Sequence, residues 1–317
     1  MSRLISTALL ILIAAAPAVP AQNAIRWNAN FEQGIAEAKR THRPMMIYIH
    51  GYTDERRAED SDIENDQRKA FMDPTVLSIS KYFVPVQGGL AGHRDLLKKW
   101  GMSDKTEYEI VFVTPDGEKI DSIGSSGVAQ PVSLAQKMGM CFTKYRNDYF
   151  HSTLQKVLDN EKSKPEEIRG ALQTIVDFNI LIADEALVIM LKRPNLPDAV
   201  RTQALDVIAK LSTPMVAKYL LEQASKEPKD PKALATLAKC APPVAEQLID
   251  WMEQGDDAKK QYLAYTTAAK IVKAGEVKNE AWWGKVNDKI KGDEIKRLSA
   301  IIRSTAQKWK ERNGEFR

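Results

Sequence analysis

The sequence predicts an α/β domain followed by an all-α domain. Two features place strands in the first part. Met45–Ile49 and Glu109–Val113 are short apolar runs rich in β-branched and aromatic residues, the pattern of buried strands. Thr114-Pro115-Asp116-Gly117 combines a proline that presets φ with a glycine that accepts positive φ, a strong turn signal. A third feature places helices in the rest: from about Ser133 onward strand signals stop and helical periodicity takes over.

In chain order, Arg3 and the apolar run Leu9–Ala16 precede Val19-Pro20-Ala21, a small-residue cleavage pattern. A signal peptide over 1–21 is expected, and with it an exported chain, periplasmic or secreted. No later segment approaches the roughly 18 apolar residues of a membrane span, so the processed chain is not expected to be an integral membrane protein. Phe31–Arg40 reads as an amphipathic helix. Ser133 to the end reads as helical hairpins. Three helix starts carry proline, at Pro165, Pro197 and Pro231, where a missing N–H costs nothing. Second helices fit between them at Ile182–Leu191, Pro214–Ser225 and Pro243–Glu253. A spacing near 34 residues suits tetratricopeptide-type or related solenoid repeats, although their signature residues are not evident; an irregular bundle is the alternative. The last elements are expected at Ala258–Ala274, Glu280–Ile290 and Asp293–Arg312. Trp282-Trp283 is expected to close the helical core rather than form a ligand platform.

The net charge is +4 over 317 residues with both signs mixed, which does not predict nucleic-acid binding. Cys141 and Cys240 are the two cysteines. Separate buried thiols are preferred over a bridge between them. His42, His50, His93 and His151 stand singly, without a metal-binding pattern. Asp60–Asp66 brushes a calcium-loop spacing, but Asn65 and Phe71 occupy the positions that need Gly and Glu, so it reads as a solvated acidic insert. Gly124-Ser125-Ser126-Gly127 is not a phosphate loop, since no Lys-Ser/Thr follows. No metal or cofactor is expected.

An ordered series of segments resembles the thioredoxin-like family: Trp27, Phe31–Arg40, Arg43-Pro44 with Met45–Ile49, Phe71–Val76, Tyr82–Val86, Arg94–Gly101 and Ile110–Glu118. The resemblance covers roughly residues 26–150. It implies a thioredoxin-like α/β domain over 22–150, with Tyr82–Val86 as its second core strand; the helical periodicity beyond gives a helical domain over 151–317. The slot that carries Cys-x-x-Cys in active members reads Asp54-Glu55-Arg56-Arg57 here. A dithiol mechanism needs two adjacent sulfurs, and this slot has none. The cis-proline position falls at Tyr108 or within Thr106–Glu109, which holds no proline; a trans bond is expected there. A redox-inactive protein that binds a protein or peptide, as an accessory or chaperone-like factor, is the resulting expectation. The candidate groove comprises Tyr52, Asp54, Glu55, Arg57 and Tyr108, with no catalytic residue assigned. The alternative is an enzyme, either disulfide-handling through Cys141 or Cys240, or acting on a small molecule through His50 and the acidic loop.

Overall fold

A computed structural model describes residues 24–49, 58–88, 94–103, 106–226, 231–254 and 258–313. The proposed signal peptide, His50, His93 and the 52–57 part of the candidate groove lie outside them. The chain divides into two compact units, Met1–Met138 and Gly139–Arg317.

In the first unit four strands form a mixed sheet in the order β2-β1-β3-β4. β1 (Met45–Ile49) pairs in parallel with β2 (Val84–Gly88) and antiparallel with β3 (Glu109–Val113). β3 pairs antiparallel with β4 (Lys119–Ile123), with a register shift between Phe112 and Val113. The hairpin predicted at 109–123 is thus present. Gly117 takes φ +81°, and its N–H donates to the Thr114 carbonyl at 2.9 Å. The second strand lies two residues later than Tyr82–Val86. Phe83 sits in the turn leaving α3, its N–H bonded to the Ser80 carbonyl, so pairing with β1 starts at Val84.

Every β1 residue is buried, because both faces of the sheet are covered. One face packs Met45, Ile47 and Ile49 with Val84, Val86, Val111 and Val113 against Ala38 of α1 (Phe31–Thr41) and Leu97 of α4 (Arg94–Lys99). Gly34 of α1 permits that approach: a Cβ there would stand 2.5 Å from Val86 Cγ2. Trp100 joins the same core and donates its indole N–H to the Gly117 carbonyl at 3.0 Å, tying the end of α4 to the hairpin turn. Gly101 ends α4 at φ +66°, with the Met102 N–H on the Leu97 carbonyl at 2.8 Å, a glycine-terminated cap. On the other face, Tyr48 meets α2 (Ala58–Phe71). Asp73 then caps α3 (Pro74–Ser80), its carboxylate accepting from the Thr75 and Val76 N–H groups.

The acidic stretch Asp60–Asp66 is a correction: it belongs to α2 rather than to a loop. The half-buried Ile63 and the buried Gln67, Ala70 and Phe71 recur at helical spacing. Burial of that stripe outweighs the local concentration of charge.

The division between the units falls within α6 (Pro131–Tyr149), which runs through a π-helical turn at Phe150–Leu154 into α7 (Gln155–Asp159). Among its described residues the second unit has helices and turns and no strand. α8 (Pro165–Asp177), α10 (Asp198–Leu211) and α12 (Pro231–Leu237) pack in succession, and α9 (Asp184–Leu191) packs on α11 (Pro214–Lys226). Thus α8, α10 and α12 form one row of helices, with α9 and α11 paired beside it. Pro197 stands at the N-cap of α10 with ψ 140°, so the helix begins one residue after the predicted start.

Beyond them lie α13 (Pro243–Glu246), α14 (Ile249–Gln254), α15 (Ala258–Ile271), α16 (Glu280–Lys285) and α17 (Asp288–Asn313). The element predicted at Glu280–Ile290 ends early. Val286 is extended, and the Asn287 side chain accepts from the Ile290 N–H at 3.0 Å, starting α17 there. Trp283 is buried against Tyr265, with ring centroids 4.8 Å apart, and so lies inside the helical core. Beside it the buried Tyr265 hydroxyl donates to Glu294 at 2.7 Å and accepts from the Lys278 N–H at 2.8 Å. Arg297 closes this network with two donors to the Glu294 carboxylate.

Candidate functional site

The first unit carries an open cleft of about 320 Å³. Three parts of the chain converge on it. The segment before α1 supplies Ala24, Ile25 and Trp27; the sheet supplies Tyr48 and Gln87; and α2 with the residue after it supplies Glu64, Arg68, Phe71 and Met72. Sheet pairing sets the first of these in place. Asn28 bridges to β2, its N–H on the Pro85 carbonyl and its carbonyl accepting from the Gln87 N–H, both at 2.9 Å. Trp27 is thereby held over the sheet face that carries Tyr48.

Trp27, Tyr48 and Phe71 form one aromatic cluster. Their centroids lie 5.6 Å (Trp27–Tyr48), 5.1 Å (Trp27–Phe71) and 5.3 Å (Tyr48–Phe71) apart, tilted or edge-on, arrangements that the ring quadrupoles favour. Phe71 and Tyr48 are buried, Trp27 is half-buried, and Met72 is 51% exposed at the rim. The charged groups are Glu64, half-buried, and Arg68, exposed, one turn apart on α2.

Gln67 lies beneath the cluster, fully buried. Its amide oxygen accepts from the Tyr48 hydroxyl at 2.7 Å. Its amide nitrogen donates to the Tyr108 carbonyl at 2.9 Å and to the Ser125 carbonyl and Oγ at 3.1 Å. Ser125 opens α5 (Ser125–Val128), so one side chain ties α2, β1, the approach to β3 and the start of α5 together. Burial, then the nearby Glu64 and Tyr108, hold the Tyr48 phenol well above its ordinary range. Tyr48 is therefore a neutral donor at physiological pH.

Of the predicted groove, Tyr52, Asp54, Glu55 and Arg57 lie outside the described residues. Tyr108 is described, and it is buried with φ +58°. Its N–H donates to the Ile49 carbonyl at 2.8 Å and its carbonyl takes the Gln67 amide. Positive φ is uncommon for a bulky residue, and two main-chain bonds hold it here. No cis peptide bond occurs among the described residues.

Sequence reasoning missed the cleft. Trp27 and Phe71 served only to align segments, Tyr48 read as strand interior, and Gln67 was submerged in an acidic stretch. The available signal was Gln67 itself: an uncharged amide on the same helical stripe as Ile63 and Phe71, where a polar side chain must find buried partners.

Elsewhere, no disulfide joins Cys141 and Cys240, and both are buried. Burial pushes the Cys240 thiol up to about 12. His42 is an exposed residue at the left-handed C-cap of α1, and His151 is exposed with Nδ1 2.9 Å from Gln155 Oε1. Among the described residues no group of three His, Cys, Asp or Glu side chains is placed to hold a metal ion. No described helix is long and apolar enough to cross a membrane.

No protein-family model, curated protein or solved structure matches this chain.

Proposed function

We propose that the chain is an exported thioredoxin-like protein without a dithiol, which binds a peptide or protein partner through the cleft of its first unit. The observation that carries the binding reading is that cleft: an aromatic floor of Trp27, Tyr48 and Phe71, an exposed Met72 at its rim, and a charged side chain of each sign. Apolar concavities with a few fixed polar groups are the usual form of ligand sites. Aromatic residues and Met are enriched where proteins meet partners.

The thioredoxin-like reading is supported by where the resembling segments fall. They supply β1, β2 and the β3–β4 hairpin of one sheet, with α1, α3 and α4 beside them, in the order of the resemblance. The first unit, Met1–Met138, contains no cysteine, so two thiols cannot exchange within it. Both cysteines of the chain are buried in the second unit, the wrong setting for a reactive thiolate. The helical array of that unit suits a binding role too, since stacked hairpins present extended surfaces. Export rests on the signal-like pattern of residues 1–21.

The test is selection of random seven-residue peptides on the immobilised chain, followed by affinity measurement on the wild type and on Met72→Arg. Met72 is half exposed, so this variant obstructs the cleft without emptying the core. Enriched peptides that bind at least tenfold more weakly to the variant support the reading. Failure to enrich any peptide, or equal binding to both proteins, overturns it.

A further inference from the structure

We infer that the cleft selects a basic ligand: a peptide segment that places an aromatic or aliphatic side chain against Trp27 and Phe71 and a neighbouring Lys or Arg against Glu64. The inference rests on the peptide-binding reading of the same cleft and adds the sign of the charge it prefers.

The two charges of the cleft are unequal. Glu64 is half-buried and close enough to Tyr48 for its charge to act on the phenol. Arg68 is exposed. Among the described residues neither has an ion-pair partner, although they stand at i and i+4 on α2, the spacing at which such pairs form. A carboxylate partly withdrawn from water beside three aromatic rings gains more from an arriving cation than it would in bulk water. The rings act in the same direction, because their faces attract cations and repel anions. Arg68 points the other way but acts through solvent, where pairing contributes little. Gln67 completes the asymmetry. Its amide oxygen accepts the Tyr48 hydroxyl hydrogen bond at 2.7 Å, which occupies the phenolic donor that could have met an anion. At about 320 Å³ the cleft is at the small end of ligand sites, which run from about 300 to 1,000 Å³; this suits a side chain or two rather than a cofactor.

The experiment titrates the full chain with three small probes, N-acetyl-Phe-Arg-amide, N-acetyl-Phe-Glu-amide and N-acetyl-Gly-Arg-amide, by calorimetry at low salt. Saturable binding of Phe-Arg, at least tenfold tighter than either other probe, is expected. Glu64→Gln should weaken Phe-Arg binding about tenfold, and Lys69→Gln, an exposed position on the same helix outside the cleft, should change it less than twofold. Unchanged thermal unfolding of Glu64→Gln confirms that its fold is intact. Equal or tighter binding of Phe-Glu, no effect of Glu64→Gln, or no binding of Phe-Arg overturns the inference. The Met72-sensitive library peptides decide separately whether the cleft is a peptide site at all. If they bind while Phe-Arg does not, only the charge preference falls; if neither binds, both fall.

Discussion

Replacing Gln67 by methionine keeps the length and approximate volume of the side chain and removes only its amide. Gln67 is fully buried, and its amide serves the Tyr48 hydroxyl, the Tyr108 carbonyl and two atoms of Ser125. Ser125 is half-buried and can turn to water. The Tyr48 hydroxyl and the Tyr108 carbonyl sit in buried residues and lose a partner. An orphaned buried group costs about 1–3 kcal/mol, so two cost roughly 2–6 kcal/mol. Release from burying the amide returns part of this, leaving a net loss of about 2–4 kcal/mol. For a unit of this size that corresponds to a fall in Tm of about 6–15 °C. Because two units need not unfold together, the assay is hydrogen exchange followed by mass spectrometry on peptides covering β1 and β3 during a urea titration. Tyr48→Phe supplies the internal control. It deletes the hydroxyl that Gln67 accepts, so the two substitutions together should cost about 1–2 kcal/mol less than the sum of the singles. A cost below about 1 kcal/mol for Gln67→Met, or additive behaviour in the double variant, would refute the claim that this amide organises the cleft.

Two further outcomes follow from local geometry. Gly34→Ala should destabilise the first unit by about 1–3 kcal/mol, because the new Cβ meets Val86 Cγ2 at 2.5 Å. Gly139→Ala in α6, with nothing within 4 Å of its Cβ, should stabilise by up to about 1 kcal/mol; the same sign for both in urea unfolding would contradict this. Cys240 is a raised thiol, at about 12 against an ordinary 9.0. Its contribution to stability is therefore complete below pH 9 and lost as pH rises from there toward 12. A thiol reagent at pH 8 should label Cys240 only on unfolding, and Cys240→Ala should flatten the alkaline stability profile; rapid labelling of the native chain would be the contrary result.

Local chemistry already made several elements legible. The 109–123 hairpin follows from Pro115 and Gly117 together with the apolar runs beside them, and α8, α10 and α12 begin at or beside the prolines that marked them. Each depends on residues adjacent in sequence, so reading the sequence is enough. The misreadings occurred where distant residues decide. Asp60–Asp66 reads as a loop because its charges are adjacent, yet Gln67, Ala70 and Phe71 further along the same helix are buried, and Tyr48 of the sheet meets Gln67 and Phe71.

By itself the sequence determined that the slot at Asp54–Arg57 has no thiol, that Met45–Ile49 and Glu109–Val113 are short apolar strands, and that the chain from about Ser133 onward is helical. Those conclusions need only residue type and periodicity. Tertiary structure alone decided that Trp27, Tyr48 and Phe71, separated by tens of residues, share one cleft. It also decided that Gln67 is the buried amide joining Tyr48 to Tyr108, and that Glu64 stands beside aromatic rings without an ion-pair partner among the described residues. The physical reason is that burial and hydrogen-bond satisfaction belong to the packed arrangement, and a polar residue in a sequence does not reveal which distant group it must meet.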